Sequence, residues 1–306
     1  MIEQLLNEIP FLKDYQELKW INKGFSSDEK YFISLKNNDK KYLIRFFPIS
    51  QFEDREKEFA ILKTVETYTN KAIKAIEIGK IQGQGYIVTT YIDGNDIEDE
   101  LLVLTEKEQY QLGFEAGQEL LNLHKLQAPK HIESWYERKH LKHKKYVEAY
   151  LACPIKVEHD EKILQFIDNH MLLMENRPNI FQHDDYHPNN LIAQEGKFKG
   201  IIDFGRYDWG DPIHEFLKIG IFTRNISVPF SIGQIKGYFN GEEPSDEFWT
   251  LYSLYLAMCV FSTVVWTLKT IPEDMDSMLE KINIFLDDHQ YFNNVKPSWY
   301  KLNRQL

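Results

Sequence analysis

Cysteine is scarce in this sequence, and the two thiols stand far apart. Cys153 and Cys259 are the two cysteines among 306 residues, and neither belongs to a C-x-x-C pair or another metal-ligand spacing. Such isolated cysteines are typical of buried thiols in a reducing compartment. The first residues, MIEQLLNEIPFLKDY, lack the basic region and the small-residue cleavage site of a signal peptide. We therefore expect a cytoplasmic protein.

Positive charge is also in short supply. The chain has 36 Lys and Arg against 47 Asp and Glu, a formal net charge of −11. Nucleic acids and anionic membranes attract surfaces rich in Lys and Arg, so this balance argues against both partners. An acidic protein remains compatible with cationic small molecules as ligands.

Internal repeats and low-complexity tracts are absent from the sequence, and one long uncharged run, residues 248–268, stands out. This run is long enough to span a bilayer. However, several Ser, Thr and Tyr residues interrupt it, and its charged flanks give no clear topology signal. The pattern predicts a buried core helix in a globular lobe.

Two regions of different periodicity divide the chain. Hydrophobic residues make up 43% and aromatic residues 14%, enough for a sizeable core. Residues 1–93 contain strand patterns such as KYFISL and KYLIRFF, a hairpin with QGQG as its turn, and one helix. Residues 94–306 have mostly helical spacing. We predict an α+β fold with two lobes, an antiparallel β lobe at 1–93 and a mainly helical lobe at 94–306.

Polar and ionisable residues are concentrated between Gln182 and Pro212, in QHDDYHPNNLIAQEGKFKGIIDFGRYDWGDP. The part NLIAQEGKFKGIID predicts a hairpin, whose two ends lie side by side. Asn190 at its start and Asp203 at its end would then be neighbours, with Asp185 in the loop just before them. Carboxylate and amide oxygens are ligands that Mg²⁺ prefers. A further acid could accept a proton from a hydroxyl, and the two functions together are what phosphoryl transfer needs.

This stretch resembles the catalytic loop of the aminoglycoside phosphotransferase-like family, small-molecule kinases with a protein-kinase-like fold. The family pattern H-G-D-x-H-x-x-N is matched by His183, Asp185, His187 and Asn190. Asp184 stands where the family usually has glycine, and we expect its side chain to be solvated or in a local turn. Asp203 in DFG and Asp211 in GDP match two further elements.

The resemblance implies a role for each matching residue. Asp185 would be the catalytic base, and Asn190 and Asp203 would bind Mg²⁺. His183 would be structural, and Asp211 would be a buried brace for the catalytic loop.

The resemblance also implies a nucleotide-binding site for ATP or GTP in the N-terminal lobe. Gly24, Ser26 and Ser27 form a candidate phosphate loop. Arg45 stands on the third strand where the family commonly has lysine, and an arginine contacts phosphate with a different geometry.

Two further elements of the lobe match the family. Glu58 fits the position of the acid that pairs with the strand cation, with Glu56 as a competitor. The backbone of Thr90 and Ile92 would pair with the purine edge at the hinge between the lobes.

The acceptor is expected to be a hydroxyl on a small molecule. Acidic segments at 240–248 and 271–289 are typical of a solvated helix face, or could line a cleft for a polycationic aminoglycoside antibiotic. A housekeeping metabolite (an amino alcohol, a choline-like compound or a sugar) is the alternative. His187, Arg206 and Glu215 are the candidate acceptor residues, and the protein would be a monomer or a homodimer.

Two other functions remain open. In a metal-dependent hydrolase, His183, Asp185 and His187 would be metal ligands. In a non-catalytic nucleotide-binding scaffold, Asp185, Asn190 and Asp203 would have no chemical reason to be present together.

Overall fold

A computed structural model describes residues 2–22, 28–36 and 39–302 of the chain. Contacts between Cα atoms divide the chain into two units. The first comprises Met1–Asn95, Ile192–Gln194 and Lys199–Gly205, and the second comprises Asp96–Leu191, Glu195–Phe198 and Arg206–Leu306. Two short pieces of the polar segment thus belong to the first unit, although most of that segment belongs to the second.

A five-stranded antiparallel sheet forms the first unit together with two helices. Its strands are β1 (Tyr15–Ile21), β2 (Glu29–Leu35), β3 (Lys41–Pro48), β4 (Ala75–Ile81) and β5 (Gln84–Thr90), in the spatial order β1–β2–β3–β5–β4. The helices are α1 (Ile2–Glu8) and α2 (Phe52–Val65). Successive side chains of a strand face opposite sides, and Ile33, Ile44 and Val88 are buried in one apolar cluster with Leu6 and Leu12.

A tight turn sets the register of β4 with β5, and the register of β2 with β3 places two cations together. The predicted turn between β4 and β5 is formed by Gln82 and Gly83, with φ of 45° and 82°, as in the two-residue turns that favour hairpins. In the pairing of β2 with β3, Lys30 lies opposite Arg45. Residues directly opposite in an antiparallel pair share a face, so both cationic side chains leave the same side of the sheet.

Helices dominate the second unit, as the sequence predicts. They are α3 (Ile97–Leu101), α4 (Glu106–Leu123), α5 (Trp135–Ala152), α6 (Asp160–His170), α7 (Arg224–Ile226), α8 (Val228–Tyr238), α9 (Asp246–Thr270), α10 (Met275–Asp288) and α11 (Ser298–Leu302). A capping box at Thr105 and Glu108 begins α4. The antiparallel sheet and this helical unit confirm the predicted α+β class.

Helices α4 and α8 approach each other closely at glycines. A Cβ atom added at Gly117 would lie 2.0 Å from the carbonyl oxygen of Gln234, and one at Gly237 would lie 1.9 Å from that of Phe114. These distances are far below van der Waals contact with backbone, so a larger residue at either position would push the helices apart.

Helix α9 contains the long uncharged run and is largely buried within the protein. It is the one helix among the described residues that is long and apolar enough to cross a membrane, and 67% of its most apolar window is buried. It packs against α5, α6 and α10. The core helices of globular proteins share this length and composition, and the burial of α9 agrees with the predicted core helix.

Both cysteines are free thiols, and both are half-buried, not fully buried as the sequence suggested. Cys153 donates to the carbonyl oxygen of Ile155 at 3.1 Å, and Cys259 contacts the hydroxyl of Thr263 at 3.3 Å.

Short strands lie within and next to the polar segment. They are β6 (Asn95–Asp96), β7 (Ile180–Gln182), β8 (Leu191–Gln194), β9 (Lys197–Ile201) and β10 (Asp208–Gly210). Strands β8 and β9 form the predicted hairpin, with Glu195 and Gly196 at positive φ in its turn. The second strand was expected to continue to Asp203 but ends at Ile201. Asp203 has φ of 62°, a left-handed conformation that does not fit a strand ladder.

Candidate active site

A loop between β7 and a short 3₁₀ helix, Pro188–Asn190, presents Asp185. The amide of His187 donates to the carbonyl oxygen of Asp185 at 3.1 Å, and the amide of Asn190 donates to that of His187 at 2.9 Å. The Asn190 side chain also donates to the Asp185 carbonyl oxygen at 2.9 Å. These local bonds fix the backbone of Asp185.

Three neighbours hold the carboxylate of Asp185. Lys218 Nζ lies 3.1 Å from Oδ1, His187 Nε2 lies 3.4 Å from Oδ1, and Asn190 Nδ2 lies 3.2 Å from Oδ2. Burial alone would raise the pKa of Asp185, but the hydrogen bond to His187 and the charge of Lys218 outweigh it and hold the pKa well below its usual range. Asp185 is therefore a fixed anion at neutral pH.

A buried acid supports the loop from behind. Glu215 is 2% exposed and accepts hydrogen bonds from the amides of Asp184, at 3.1 Å, and Tyr186, at 3.3 Å. Sequence reasoning placed Glu215 at the acceptor, which is wrong, because its carboxylate faces the loop backbone. His183 is also fully buried, with its ring 5.8 Å from that of Tyr186 in an edge-on arrangement.

Asp211 ties several elements of the second unit together. This fully buried carboxylate accepts from Arg177 Nε and from the Tyr255 hydroxyl, both at 2.7 Å, and from the amide of Ile213 at 3.0 Å. Its carbonyl oxygen accepts from Gln182 Nε2 at 2.5 Å, next to the catalytic loop. These contacts are those of a buried brace.

Asp184 has a backbone that explains why glycine is common at its position. Its φ is 58°, which glycine adopts without strain and aspartate tolerates better than most residues. Of the two environments expected for its side chain, solvent or a local turn, the structure shows a bend of the loop, in which the side chain is half-buried with Oδ1 3.6 Å from His214 Nδ1. Burial and the nearby charge of Glu215 raise the pKa of Asp184 to about 6.

A cavity of about 220 Å³ opens beside Asp185 within the second unit. Its lining is Lys139, Lys142, His143, Tyr146, Asp184, Asp185, Arg206, His214, Leu217, Lys218, Ile221, Phe222, Met258, Cys259, Ser262, Thr263, Trp266 and Met278. Of the three predicted acceptor residues, Arg206 belongs to this lining. His187 instead packs its ring 5.2 Å from Phe222 and contacts Asp185.

In the first unit, four charged side chains form a compact ion-pair cluster. Arg45 pairs with Glu58, and Arg55 pairs with Glu58 at 2.9 Å and with Asp28 at 2.7 Å. Glu58 is 3% exposed, whereas the competitor Glu56 lies on the exposed face of α2. The structure therefore selects Glu58 as the partner of Arg45. Sequence reasoning missed Asp28 and Arg55, although Arg55 stands one helical turn before Glu58.

Asp203 lies in the same unit, near this cluster. A Cβ added at Gly205 would lie 3.5 Å from Asp203 Oδ1 and 3.8 Å from Glu58 Oε2, so both carboxylates border that glycine. Lys30, opposite Arg45 on β2, has a pKa lowered by burial despite the opposing charge of Asp203. Its position on β2 was not considered in the sequence prediction.

The remaining nucleotide residues stand as follows. Gly24, Ser26 and Ser27 lie outside the described residues. The amide of Thr90 donates to the carbonyl oxygen of Lys74 at 2.9 Å, so a purine at this position would have to use another group. The side chain of Ile92 packs against Gly200, and a Cβ atom added at Gly200 would lie 2.4 Å from Ile92 Cδ1.

The arrangement of possible metal ligands bears on the two catalytic hypotheses, a metal-dependent hydrolase and a Mg²⁺-dependent kinase. In the described part of the chain, no three His, Cys, Asp or Glu residues come together as a metal cluster. Of the three residues of the hydrolase alternative, His187 contacts Asp185 at 3.4 Å, whereas His183 is buried with its ring against that of Tyr186. In the second unit, Asn190 directs Nδ2 to Asp185, which leaves its Oδ1 available as an oxygen ligand, and in the first unit Asp203 has an exposed carboxylate.

Comparison with known proteins identifies the same family as the catalytic-loop motif does. The model of the phosphotransferase enzyme family (APH) matches residues 17–249. A search of curated protein sequences found no match.

Solved structures resemble the chain over nearly its whole length. ADP-bound aminoglycoside phosphotransferase APH(2'')-Ib has a TM-score of 0.64 at 16% identity, covering 93% of this chain and 98% of that one. The gentamicin complex of APH(2'')-IIa has a TM-score of 0.66 at 16% identity, covering 92% and 95%. A thermostable mutant of APH(4)-Ia with ADP and hygromycin B has a TM-score of 0.68 at 14% identity, covering 94% and 98%. At such identities the likeness concerns the fold.

These matches confirm both the resemblance read from the catalytic loop and the kinase-like α+β architecture. The chain therefore belongs to the phosphotransferase enzyme family and is a phosphotransferase.

Proposed function

We propose that this protein is a Mg²⁺-dependent small-molecule kinase that moves the γ-phosphate of ATP or GTP to a hydroxyl. One observation carries the proposal. Asp185 is held as an anion by Lys218, His187 and Asn190, and it lines a cavity large enough for a small alcohol.

Asp185 orients the acceptor hydroxyl and takes its proton. A carboxylate with a depressed pKa is a weak base, which suits phosphoryl transfer, since the transition state is loose and the proton leaves late. The ammonium of Lys218, 3.1 Å from Asp185 Oδ1, lies where it could also stabilise charge on the phosphoryl group in transfer.

Nucleotide binding falls to the first unit. Arg45 is oriented by Glu58, and its guanidinium has further N–H groups that could donate to phosphate oxygens. Asn190 and Asp203 would supply oxygen ligands for Mg²⁺, which when bound would neutralise phosphate charge. Support for a nucleotide donor comes from two similar phosphotransferase structures, both of which are complexes with ADP.

The acceptor is a small molecule. Similar structures are named as complexes with gentamicin and hygromycin B, so aminoglycosides belong in any acceptor panel beside amino alcohols, choline-like compounds and sugars. We place the protein in the cytoplasm, because two free thiols are more typical of a reducing compartment than of an oxidising one. We propose that it is a monomer or a homodimer.

The test is nucleoside diphosphate release from ATP and from GTP, with Mg²⁺ and each acceptor in turn. The matched variants are Asp185→Asn and Asp168→Asn, the same chemical change at an exposed position on α6. Acceptor-dependent release that survives in Asp168→Asn and is lost in Asp185→Asn supports the proposal. Equal release in both variants, or failure of the wild type to bind either nucleotide, contradicts it.

A further inference from the structure

The cavity beside Asp185 holds more positive than negative charge. Its charged lining consists of the cations Lys139, Lys142, Arg206 and Lys218 and the acids Asp184 and Asp185. Lys218 is engaged with Asp185 at 3.1 Å. Within the described ranges, the other three cations have no carboxylate within ion-pair distance.

Lys139 shows the imbalance most clearly. It is half-buried on α5, and its ammonium donates to His214 Nε2 at 2.7 Å. His214 is fully buried, and burial and the surrounding lysines hold its pKa well below the ordinary value, so it is a neutral acceptor and not a counter-ion. Burial, followed by the charge of Lys142, lowers the pKa of Lys139 to about 8. A cation without an anionic partner in such a place carries a cost that a bound anion would remove.

The acids in the cavity do not supply that anion. Asp184 is directed at His214, with 3.6 Å between Oδ1 and Nδ1. Asp185 already accepts from three neighbours, as described above. Arg206 lies over the ring of Trp266, 5.9 Å from its centroid, at an exposed position of the lining.

The size and walls of the cavity restrict its occupant. Its volume of about 220 Å³ is below the roughly 300–1,000 Å³ typical of pockets for drug-sized ligands. Apolar side chains, among them Ile221, Phe222, Met258 and Trp266, form the rest of the lining. A small carbon skeleton with one charged end fits this combination.

We propose that the phosphate acceptor is a small alcohol that carries an anionic group, a carboxylate or a phosphate, bound by Lys139 and Lys142 with Arg206 beside them. This assignment rests on the proposed kinase function, since it concerns the acceptor of that same site. The hydroxyl lies at Asp185, and the acidic group lies toward α5. The shared chemistry is an oxyanion, which ammonium groups bind by charge-assisted hydrogen bonds.

A polycationic acceptor fits the same cavity poorly. Its ammonium groups would meet cations that are already without partners. The acidic segments that suggested an aminoglycoside lie elsewhere, since Met278 is the one residue of 240–248 and 271–289 in the lining. Acids of these segments already have cationic partners: Glu243 pairs with Lys236 at 2.9 Å, and Asp288 pairs with Arg224 at 2.6 Å.

A series of three-carbon alcohols that differ in charge tests the proposal. Glycerate, glycerol 3-phosphate, glycerol and 2-aminopropane-1,3-diol, with gentamicin as a polycation, are titrated calorimetrically into the protein saturated with Mg²⁺ and ADP. The variants are Lys139→Met/Lys142→Met and, as a matched control, Lys144→Met/Lys145→Met, two exposed lysines of α5 outside the lining.

We expect glycerate or glycerol 3-phosphate to bind at least ~10-fold more tightly than glycerol, a difference of about 1.4 kcal/mol. The Lys139→Met/Lys142→Met variant should lose this preference, and the control pair should keep it. Tighter binding of glycerate would indicate an acceptor with a carboxylate, and tighter binding of glycerol 3-phosphate would indicate an acceptor with a phosphate. Equal binding of anions and glycerol, tighter binding of the amine or gentamicin, or no saturable binding of either anion overturns the proposal.

The nucleotide arm separates this inference from the proposed function. If Mg²⁺-dependent ATP or GTP binding is intact but the anion preference is missing, only the acceptor assignment fails. If neither nucleotide binds, the kinase proposal fails, whatever the alcohols do.

Discussion

Two groups of charged side chains, one in each unit, differ in how completely they are neutralised. In the first unit, Arg45 and Arg55 face Asp28 and Glu58 in a closed set of four ion pairs, and three of the four residues are buried. In the second unit, the cavity beside Asp185 has three cations without a carboxylate partner among the described residues. A balanced cluster fixes the positions of its own members, whereas an unbalanced one is completed by a ligand. This contrast separates residues that position from residues that bind.

The largest effect should come from the one cavity acid that has a cationic partner. Asp185→Asn removes the base and frees Lys218, so we expect kcat to fall by ~10²–10⁴-fold, the usual size of a general-base contribution. Anion binding to the cavity should be kept or strengthened, because the cationic excess grows. Steady-state turnover and calorimetry measure the two effects. A variant that loses anion binding together with turnover would show that Asp185 maintains the cavity and is not the base.

Breaking the balanced cluster should instead cost folding free energy. Glu58→Gln leaves Arg45 and Arg55 with less counter-charge in a buried place, and we expect the free energy of unfolding to fall by ~3 kcal/mol. Urea denaturation measures this loss, and Glu56→Gln on the exposed face of α2 is the matched control, expected within ~0.5 kcal/mol of wild type. Equal stability of the two variants would mean that the cluster contributes nothing to the fold.

The sequence could reveal part of this contrast. Contacts between residues that are close in sequence were predictable, and contacts between distant segments were not. The catalytic loop is read easily, because Asp185, His187 and Asn190 lie within six residues and bond to one another. The partner of Arg45 was indicated by the family pattern in α2, with Glu56 as a competitor that only the structure removes. The cationic cavity was missed because Lys139 and Lys218 come from distant segments, and nothing in their local patterns distinguishes them from surface lysines.

Glu215 was misassigned for a related reason. Its place after GDPIH suggested a cleft residue, but the loop amides of Asp184 and Tyr186 need an acceptor, and Glu215 supplies it. Likewise, the acidic segments look like a ligand surface in sequence, while their ion-pair partners Lys236 and Arg224 are visible only in the fold. Local bonding patterns are therefore predictable, and the pairing of distant charges is not.

A smaller effect, on ligand affinity, should follow the protonation of Lys139. The groups that act on it are Lys142, Asp184, Asp208, His214 and Cys259. Because burial lowers the pKa of Lys139 to about 8, the free cavity loses this charge as the pH rises through that value. We expect the dissociation constant of the anionic alcohol to rise roughly fivefold between pH 8 and 9, the change in protonated fraction. Calorimetry across this range should show a flat profile for Lys139→Met, and a flat wild-type profile would contradict the role of Lys139.

The smallest expected effect is on the free energy of unfolding, and its sign is opposite to that of Glu58→Gln. It tests most directly the contrast between the neutralised Arg45 cluster and the cationic cavity. Lys139→Met keeps the apolar stem and removes a cation that the cavity does not neutralise, so we expect the free energy of unfolding to rise by ~1 kcal/mol at neutral pH. A lowered pKa means that the folded state disfavours the charged form. The gain should therefore be complete below about pH 8 and disappear as the pH approaches 10.5, the ordinary value for lysine. Urea denaturation at several pH values measures this, with Lys145→Met as the exposed control. A loss of stability in Lys139→Met at neutral pH would show that the cation is already compensated within the fold, as in the Arg45 cluster, and that the cavity needs no anion to complete it.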